Sequence, residues 1–292
     1  VFLYKNHHLG QYLKGVFSVR DIPTQDVNAY PIYPEYQWMY NKLELCRAQG
    51  IPAQPHGVVP ESFPVFSKPI TNLEGMSIGA RVLHYWHDNL YQPGHFWMPI
   101  LKGEQLSTDL AICKGQIHWV CSFKPSFKKK SFDRWSQVPT PFFVKDVFRR
   151  WVTKYLSNYR GIINCETIGE TIIECHLRMS TQFIDLYGEG WVTKVAELYD
   201  RGLWRPHKTP PGGHSVILRT TVPGIYSIDP EIIDVCKKYV SSVQICFKED
   251  LDVKHQPADN DDHTYRLAVI NGFDLDTCLR AREVIKDNLQ LR

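Results

Sequence analysis

Long apolar runs are missing from this chain. No window of its 292 residues approaches the roughly 18 consecutive apolar residues of a membrane span, and no apolar signal core follows a basic start. A soluble, cytoplasmic (intracellular) protein without a membrane partner is therefore expected. Charge of one sign is scarce as well: 34 Lys and Arg against 31 Asp and Glu leave a formal charge of +3. The one dense basic run, Lys128-Lys129-Lys130, is short and flanked by aromatics. It reads as a solvated loop, and nucleic acid is not an expected partner. The eight cysteines contain no C-x-x-C spacing, and several lie in apolar strand-like runs such as Val243-Gln244-Ile245-Cys246-Phe247. They read as reduced core residues of a thiol-preserving compartment. There is no internal repeat and no convincing Ser-His-Asp or Cys-His set. A start at Val1 rather than methionine leaves open a longer or processed natural chain.

What the chain does have is length and one polar hairpin. A chain of 292 residues buries a large core, as one elaborated domain or two fused ones. The stretch Asn164-Cys165-Glu166-Thr167-Ile168-Gly169-Glu170-Thr171-Ile172-Ile173-Glu174-Cys175-His176 reads as two short strands around a turn at Gly169-Glu170. Side chains alternate faces along a strand, so Glu174, His176 and Arg178 point one way, as do Asn164 and Glu166. The turn sets Glu166 opposite Glu174 and His176. Carboxylates sharing a face repel unless a cation sits between them, and hard oxygen ligands suit magnesium. A solvated hairpin whose polar face meets water has the same pattern, because so short a match is weak. The upstream sequence decides between them.

Residues 1–40 are aromatic, proline-rich and read as an irregular extended segment. Over 34–49, Trp38, Met39, Leu43, Leu45 and Cys46 recur at helical spacing until Gly50 and Pro52 stop the run. A strand over 63–70 carries Lys68 near its end, and the loop 71–81 leads to an aromatic strand over 82–86. An apolar segment over 96–101 turns at Lys102-Gly103-Glu104-Gln105. Strands over 106–113 and 117–123 form a hairpin. A helix over 141–157 shows a stripe of Phe143, Val147, Trp151, Val152 and Tyr155 and leads into the polar hairpin. One or two helices over 182–201 precede a linker at 206–213. The remainder alternates as a small β-α-β-β-α unit, in which the acidic stretch 254–263 is a solvated loop.

The order of these pieces resembles the ATP-grasp superfamily: a lysine opening a helix (Asn41-Lys42), a Gly-Ile-Pro stop, the Phe-Pro-Val-Phe-Ser-Lys-Pro strand, and a glycine-containing loop. An apolar segment ending in Lys-Gly-Glu-Gln, a Ser-Thr-Asp strand and the carboxylate hairpin follow. The resemblance runs from about Asn41 to Ser180. It implies an α+β ATP-grasp fold, two α+β subdomains clasping ATP, with an appended small α/β C-terminal cap. The implied divisions are an N-terminal extended segment (1–40), the ATP-grasp domain (41–205) and the cap (214–292). On that resemblance Lys68 matches the lysine on the α-phosphate and base edge, and Lys42 the earlier lysine of the same kind. Gly75, Ser77 and Gly79 correspond to the mobile loop over the β- and γ-phosphates, and Arg81 is placed to stabilise a transferring phosphoryl group. Met98, Ile100 and Leu101 match the hinge that reads adenine. Gln105 takes the position of the ribose-binding glutamate. Glu166 and Glu174 match the magnesium-holding positions, His176 replaces the asparagine of the usual Glu-x-Asn ending, and Arg178 matches the arginine that often follows.

Four departures stand out. Met98 replaces an acidic residue, and Gln105 keeps hydrogen-bonding capacity without charge. His176 brings a nitrogen ligand where magnesium prefers oxygen, which admits manganese or zinc. Only about forty residues precede Lys42, where the family has a Rossmann-like domain of roughly a hundred. The activity implied is an ATP- and Mg-dependent ligase joining a small-molecule or peptide carboxylate to an amine or thiol through an acyl phosphate, and a homo-oligomer is compatible with it. The alternatives are a catalytically inactive grasp-fold protein serving as a binding or assembly module, and a kinase of the same fold.

Overall fold

The computed structural model describes residues 2–3, 10–13, 15–71, 73, 79–85, 91–128, 131–255 and 264–292. Two antiparallel sheets organise these residues. The larger has eight strands, in the order Thr171–His176, Arg160–Ile168, Gln105–Cys113, Gln116–Lys128, Ser131–Val138, His214–Thr220, Tyr265–Gly272 and Ser242–Ile245. The smaller has four, in the order Gln54–Pro55, His95–Pro99, Val65–Pro69 and Arg81–Leu83.

Gln105–Cys113 is covered on both faces, and its alternation sorts two cores. Leu106, Leu110 and Ile112 pack with Val144, Val147, Phe148, Trp151 and Val152 of the helix Phe142–Tyr155. Those five recur at i, i+3, i+4, i+7 and i+8, the stripe of a helix lying on a sheet. Each contributes about 1.5–3 kcal/mol by burial. Ala111 and Cys113 face the other way, toward Trp191, Val195 and Leu198 of the helix Trp191–Arg201. The C-terminal segment 214–292 adds three strands to the same sheet, and its helices Pro230–Lys237 and Leu275–Asp287 cover a third core. The linker expected at 206–213 thus connects a helix on that sheet to one of its central strands. Every cysteine is free, and all but Cys246 are buried. No helix of the described residues is long and apolar enough to cross a membrane.

Several elements differ from the expectations. The helix read over 34–49 is a 3-10 helix, Pro34–Tyr40, followed by an α-helix, Lys42–Ala48. The break is at Asn41, whose extended backbone and side-chain oxygen, accepting from the amides of Leu43 and Glu44, make it an N-cap. The segment 1–40 is not wholly irregular, since Asp26–Ile32 is helical. The strand Gln116–Lys128 runs past the expected end at 123 and pairs with Ser131–Val138, which the reading of the lysine run as a loop had hidden. The expected strand over 82–86 is Arg81–Leu83, and Trp86 lies outside the described residues.

Candidate nucleotide and metal site

The hairpin forms as its alternation requires. Arg160–Ile168 and Thr171–His176 pair with Glu166 opposite Glu174 and Asn164 opposite His176. Its turn rests on the turn of the expected hinge. The Gly169 amide donates to the Glu104 carbonyl at 2.9 Å, and a Cβ added to Gly103 (φ +127°) would stand 2.8 Å from the Gly169 Cα. Only glycine fits at that crossing.

Ligand atoms of Glu166, Glu174 and His176 lie within 4.8 Å of one another. Two lysines reach this cluster, Lys42 from the start of the helix Lys42–Ala48 and Lys68 from the small sheet. Lys42 Nζ lies 2.6 Å from Glu174 Oε1, and Lys68 Nζ donates to the Ile173 carbonyl at 3.0 Å. Both lysines are buried. Gln105 Nε2 donates to Glu166 Oε2 at 3.1 Å, so the residue expected at the ribose is engaged with a carboxylate expected at the metal.

His176 and Arg178 meet a residue that the sequence did not single out. Asp26 Oδ2 accepts from His176 Nδ1 at 3.0 Å and from Arg178 Nη2 at 2.9 Å. The Nε2 of His176 lies 3.4 Å from Glu174 Oε2, so the imidazole is held between two carboxylates. A second buried acid, Asp109, sits one strand over, opposite Asn164. It accepts from Asn164 Nδ2 and the Tyr187 hydroxyl, each at 2.5 Å, and from the Ser180 amide at 2.9 Å. Nothing in local spacing marks Asp26, whose partners lie 150 and 152 residues away. Asp109 carried a signal, an acid inside an apolar strand.

The electrostatics follow from these contacts. Burial raises the Glu174 carboxyl, but Lys42 and His176 outweigh it and hold the group well below the carboxylate range. Burial and the neighbouring Glu174 raise Glu166. Burial lowers His176, and the carboxylates of Asp26 and Glu174 overcome it to lift the imidazole to about 9. At neutral pH the ring is therefore an imidazolium with both nitrogens protonated, and it acts as an internal cation between its carboxylates. Ligation requires the neutral ring. Burial raises Asp26, but Arg178 and His176 together outweigh it and keep the carboxyl below the carboxylate range. Burial brings Lys68 down to about 8 against the pull of Glu174.

The remaining expected residues divide. Met98 is buried against Cys46 and Phe96, Leu101 packs on the same core, and Ile100 is exposed. Arg81 pairs opposite Ser67, so strand alternation puts it on the face away from Lys68, where its guanidinium donates to Gln92 Oε1 at 3.3 Å. It is not brought to the carboxylates. Gly79 has φ +76°, and a Cβ there would meet His95 Nε2 at 2.9 Å. Gly75 and Ser77 lie outside the described residues.

Two carboxylates paired across a hairpin and backed by ammonium groups fit one hard divalent cation and the anionic chain it would neutralise. No protein-family model matches the chain, and no curated protein matches it. Solved structures do. The L-amino acid ligase from Bacillus licheniformis superposes with a TM-score of 0.65 at 12% identity, covering 93% of this chain and 80% of that one. The phosphoribosylamine–glycine ligase from Thermotoga maritima gives 0.64 at 13%, covering 99% and 87%. The carboxyaminoimidazole ribonucleotide synthase from Aspergillus clavatus, complexed with ATP, gives 0.58 at 10%, covering 88% and 75%. Likeness at such low identity is likeness of fold alone, and the fold of this chain is an α+β ATP-grasp fold.

Proposed function

We propose that this protein is an ATP- and magnesium-dependent ligase that joins a carboxylate to an amine or thiol. The observation that carries the reading is the convergence of Lys42, from the helix Lys42–Ala48, and Lys68, from the small sheet, on the hairpin that pairs Glu166 with Glu174. A fold needs no such meeting of buried charge, whereas a triphosphate with a cation does. Lys68 and Lys42 bind the phosphate chain, and the hinge 98–101 holds the base. Glu166 and Glu174 hold magnesium, which on binding supplies neutralising charge to the phosphates. Arg178, steadied by Asp26, faces charge developing on the transferred phosphoryl group. The substrate carboxylate attacks the γ-phosphate, ADP leaves, and the amine or thiol displaces phosphate from the acyl phosphate. No side-chain nucleophile is needed.

In this reading residues 41–205 form the nucleotide unit, and 1–40 and 214–292 supply walls of the acceptor site. His176 gives up its proton to ligate manganese or zinc, or stays an imidazolium and leaves one cation held by the two glutamates.

The test is calorimetric titration with a non-hydrolysable ATP analogue, with and without magnesium, beside Lys68→Ala. Micromolar binding that magnesium strengthens and the variant loses is the expected result. A second reading, an inactive grasp-fold module that binds or assembles with a partner, is favoured by one observation: Lys42 and His176 already neutralise Glu174 from within. Absence of analogue binding in a folded protein would select it.

A further inference from the structure

A second concentration of charge lies at the other end of the same strands. Arg160 pairs opposite Cys113, six residues along its strand from Glu166 and so roughly 20 Å from the carboxylate pair. There a cleft of about 720 Å³ opens between the N-terminal segment, the Lys114-Gly115 turn and the end of the helix Trp191–Arg201, a size that suits a small metabolite. Its floor is tyrosine. Tyr33, Tyr36 and Tyr159 contact one another with ring centroids 5.0 and 5.4 Å apart. The Tyr159 hydroxyl is anchored on the Ile162 carbonyl at 3.0 Å.

The walls are cationic. Lys114, Arg160 and Arg201 line the cleft, and none of their side chains forms an ion pair among the described residues. Arg20 lines it too, as do the carboxylates of Asp21 and Glu35. Four cations against two carboxylates leave two positive charges over. A phosphate monoester carries about −1.5 to −2 at neutral pH, while a lone carboxylate carries half that. Guanidinium groups also match phosphate oxygens in pairs.

Lys114 supplies an independent observation. It is the one non-glycine with positive φ among the described residues, at +51°, followed by Gly115 at +71°. That two-residue turn favours Asn, Asp or Gly at its first position, and a lysine there costs on the order of 1 kcal/mol. The chain carries this strain at the point where an ammonium meets the cleft, and strain of that kind gathers at functional positions.

We propose that this cleft binds a small organic phosphate at a site separate from the nucleotide site. The inference does not depend on the ligase reading. The test is calorimetric titration with ribose 5-phosphate of the wild type, Arg160→Gln/Arg201→Gln, Lys114→Gly and Lys68→Ala. The wild type should bind with a dissociation constant at or below about 1 mM. Lys68→Ala should bind equally well, and the double arginine variant at least tenfold more weakly. Lys114→Gly guards against misfolding: glycine relieves the turn, so its melting temperature should stay level or rise while affinity falls severalfold. No binding by the wild type, unchanged binding by the arginine and Lys114 variants, or loss of binding in Lys68→Ala would each overturn the proposal.

Discussion

Glu174 carries opposite duties. It neutralises Lys42 at 2.6 Å, with both side chains largely buried, and it faces the imidazolium of His176. Glu174→Gln therefore strands a buried ammonium, and breaking such a pair costs about 3–5 kcal/mol. Urea unfolding should show a double-mutant cycle in which Lys42→Met restores much of that loss. Additive effects would show that the two side chains are not coupled. Lys68 gives a prediction in pH. Its folded pKa of about 8 lies below the ordinary lysine value near 10.4, so between those values the unfolded chain holds the extra proton. Stability contributed by this residue accordingly rises with pH across that window, and it is at its least below pH 8. The difference between wild type and Lys68→Met should trace that rise, because other groups titrating there cancel. A flat difference would place Lys68 outside the buried site. At this scale the sequence was informative where chemistry was local. The hairpin's alternation set Glu166 opposite Glu174, but Asp26 was invisible because its partners are joined to it only by the fold.

The edge strand Thr171–His176 shows how the two sheets meet. Gln49, at the end of the helix Lys42–Ala48, accepts from the Ile172 amide and donates to the Ile172 carbonyl, both at 2.8 Å. One side chain thus supplies the two bonds that a neighbouring strand would make, and the adjacent carbonyl of Ile173 is taken by Lys68. Gln49→Leu leaves both groups of Ile172 unpaired, at a cost of about 1–3 kcal/mol. Faster amide exchange at Ile172 than elsewhere in the hairpin would register it, and unchanged exchange would deny Gln49 this role. The turn-on-turn contact is as demanding. Gly103→Ala and Gly169→Ala should each lower the melting temperature, because one forces a side chain onto backbone and both hold positive φ. The sequence showed glycine at both turns without showing that they touch. Arg81 illustrates a related point: the resemblance gave it a phosphoryl contact from its place at the end of the glycine-containing loop, whereas strand register puts it on the face away from Lys68.

The large sheet runs without a break from Thr171–His176 at one edge to Ser242–Ile245 at the other. Ser131–Val138, in its middle, pairs on one side with Gln116–Lys128 and on the other with His214–Thr220. Scanning calorimetry should therefore show one cooperative transition, with calorimetric and van't Hoff enthalpies agreeing. Two separated transitions would mark the segment 214–292 as an independent unit. Composition and strand alternation exposed most of these elements, since each signals itself within ten residues. Their arrangement in one sheet depends on pairings across the linker, for which no local pattern exists. The Lys42–Glu174 contact acquires a wider meaning in this frame. It is a latch: the carboxylate that ties the helix Lys42–Ala48 to the large sheet is the same carboxylate proposed to hold a cation. An arriving ion would trade places with a tethered ammonium, so the release of the two halves and the arming of the site would be a single event.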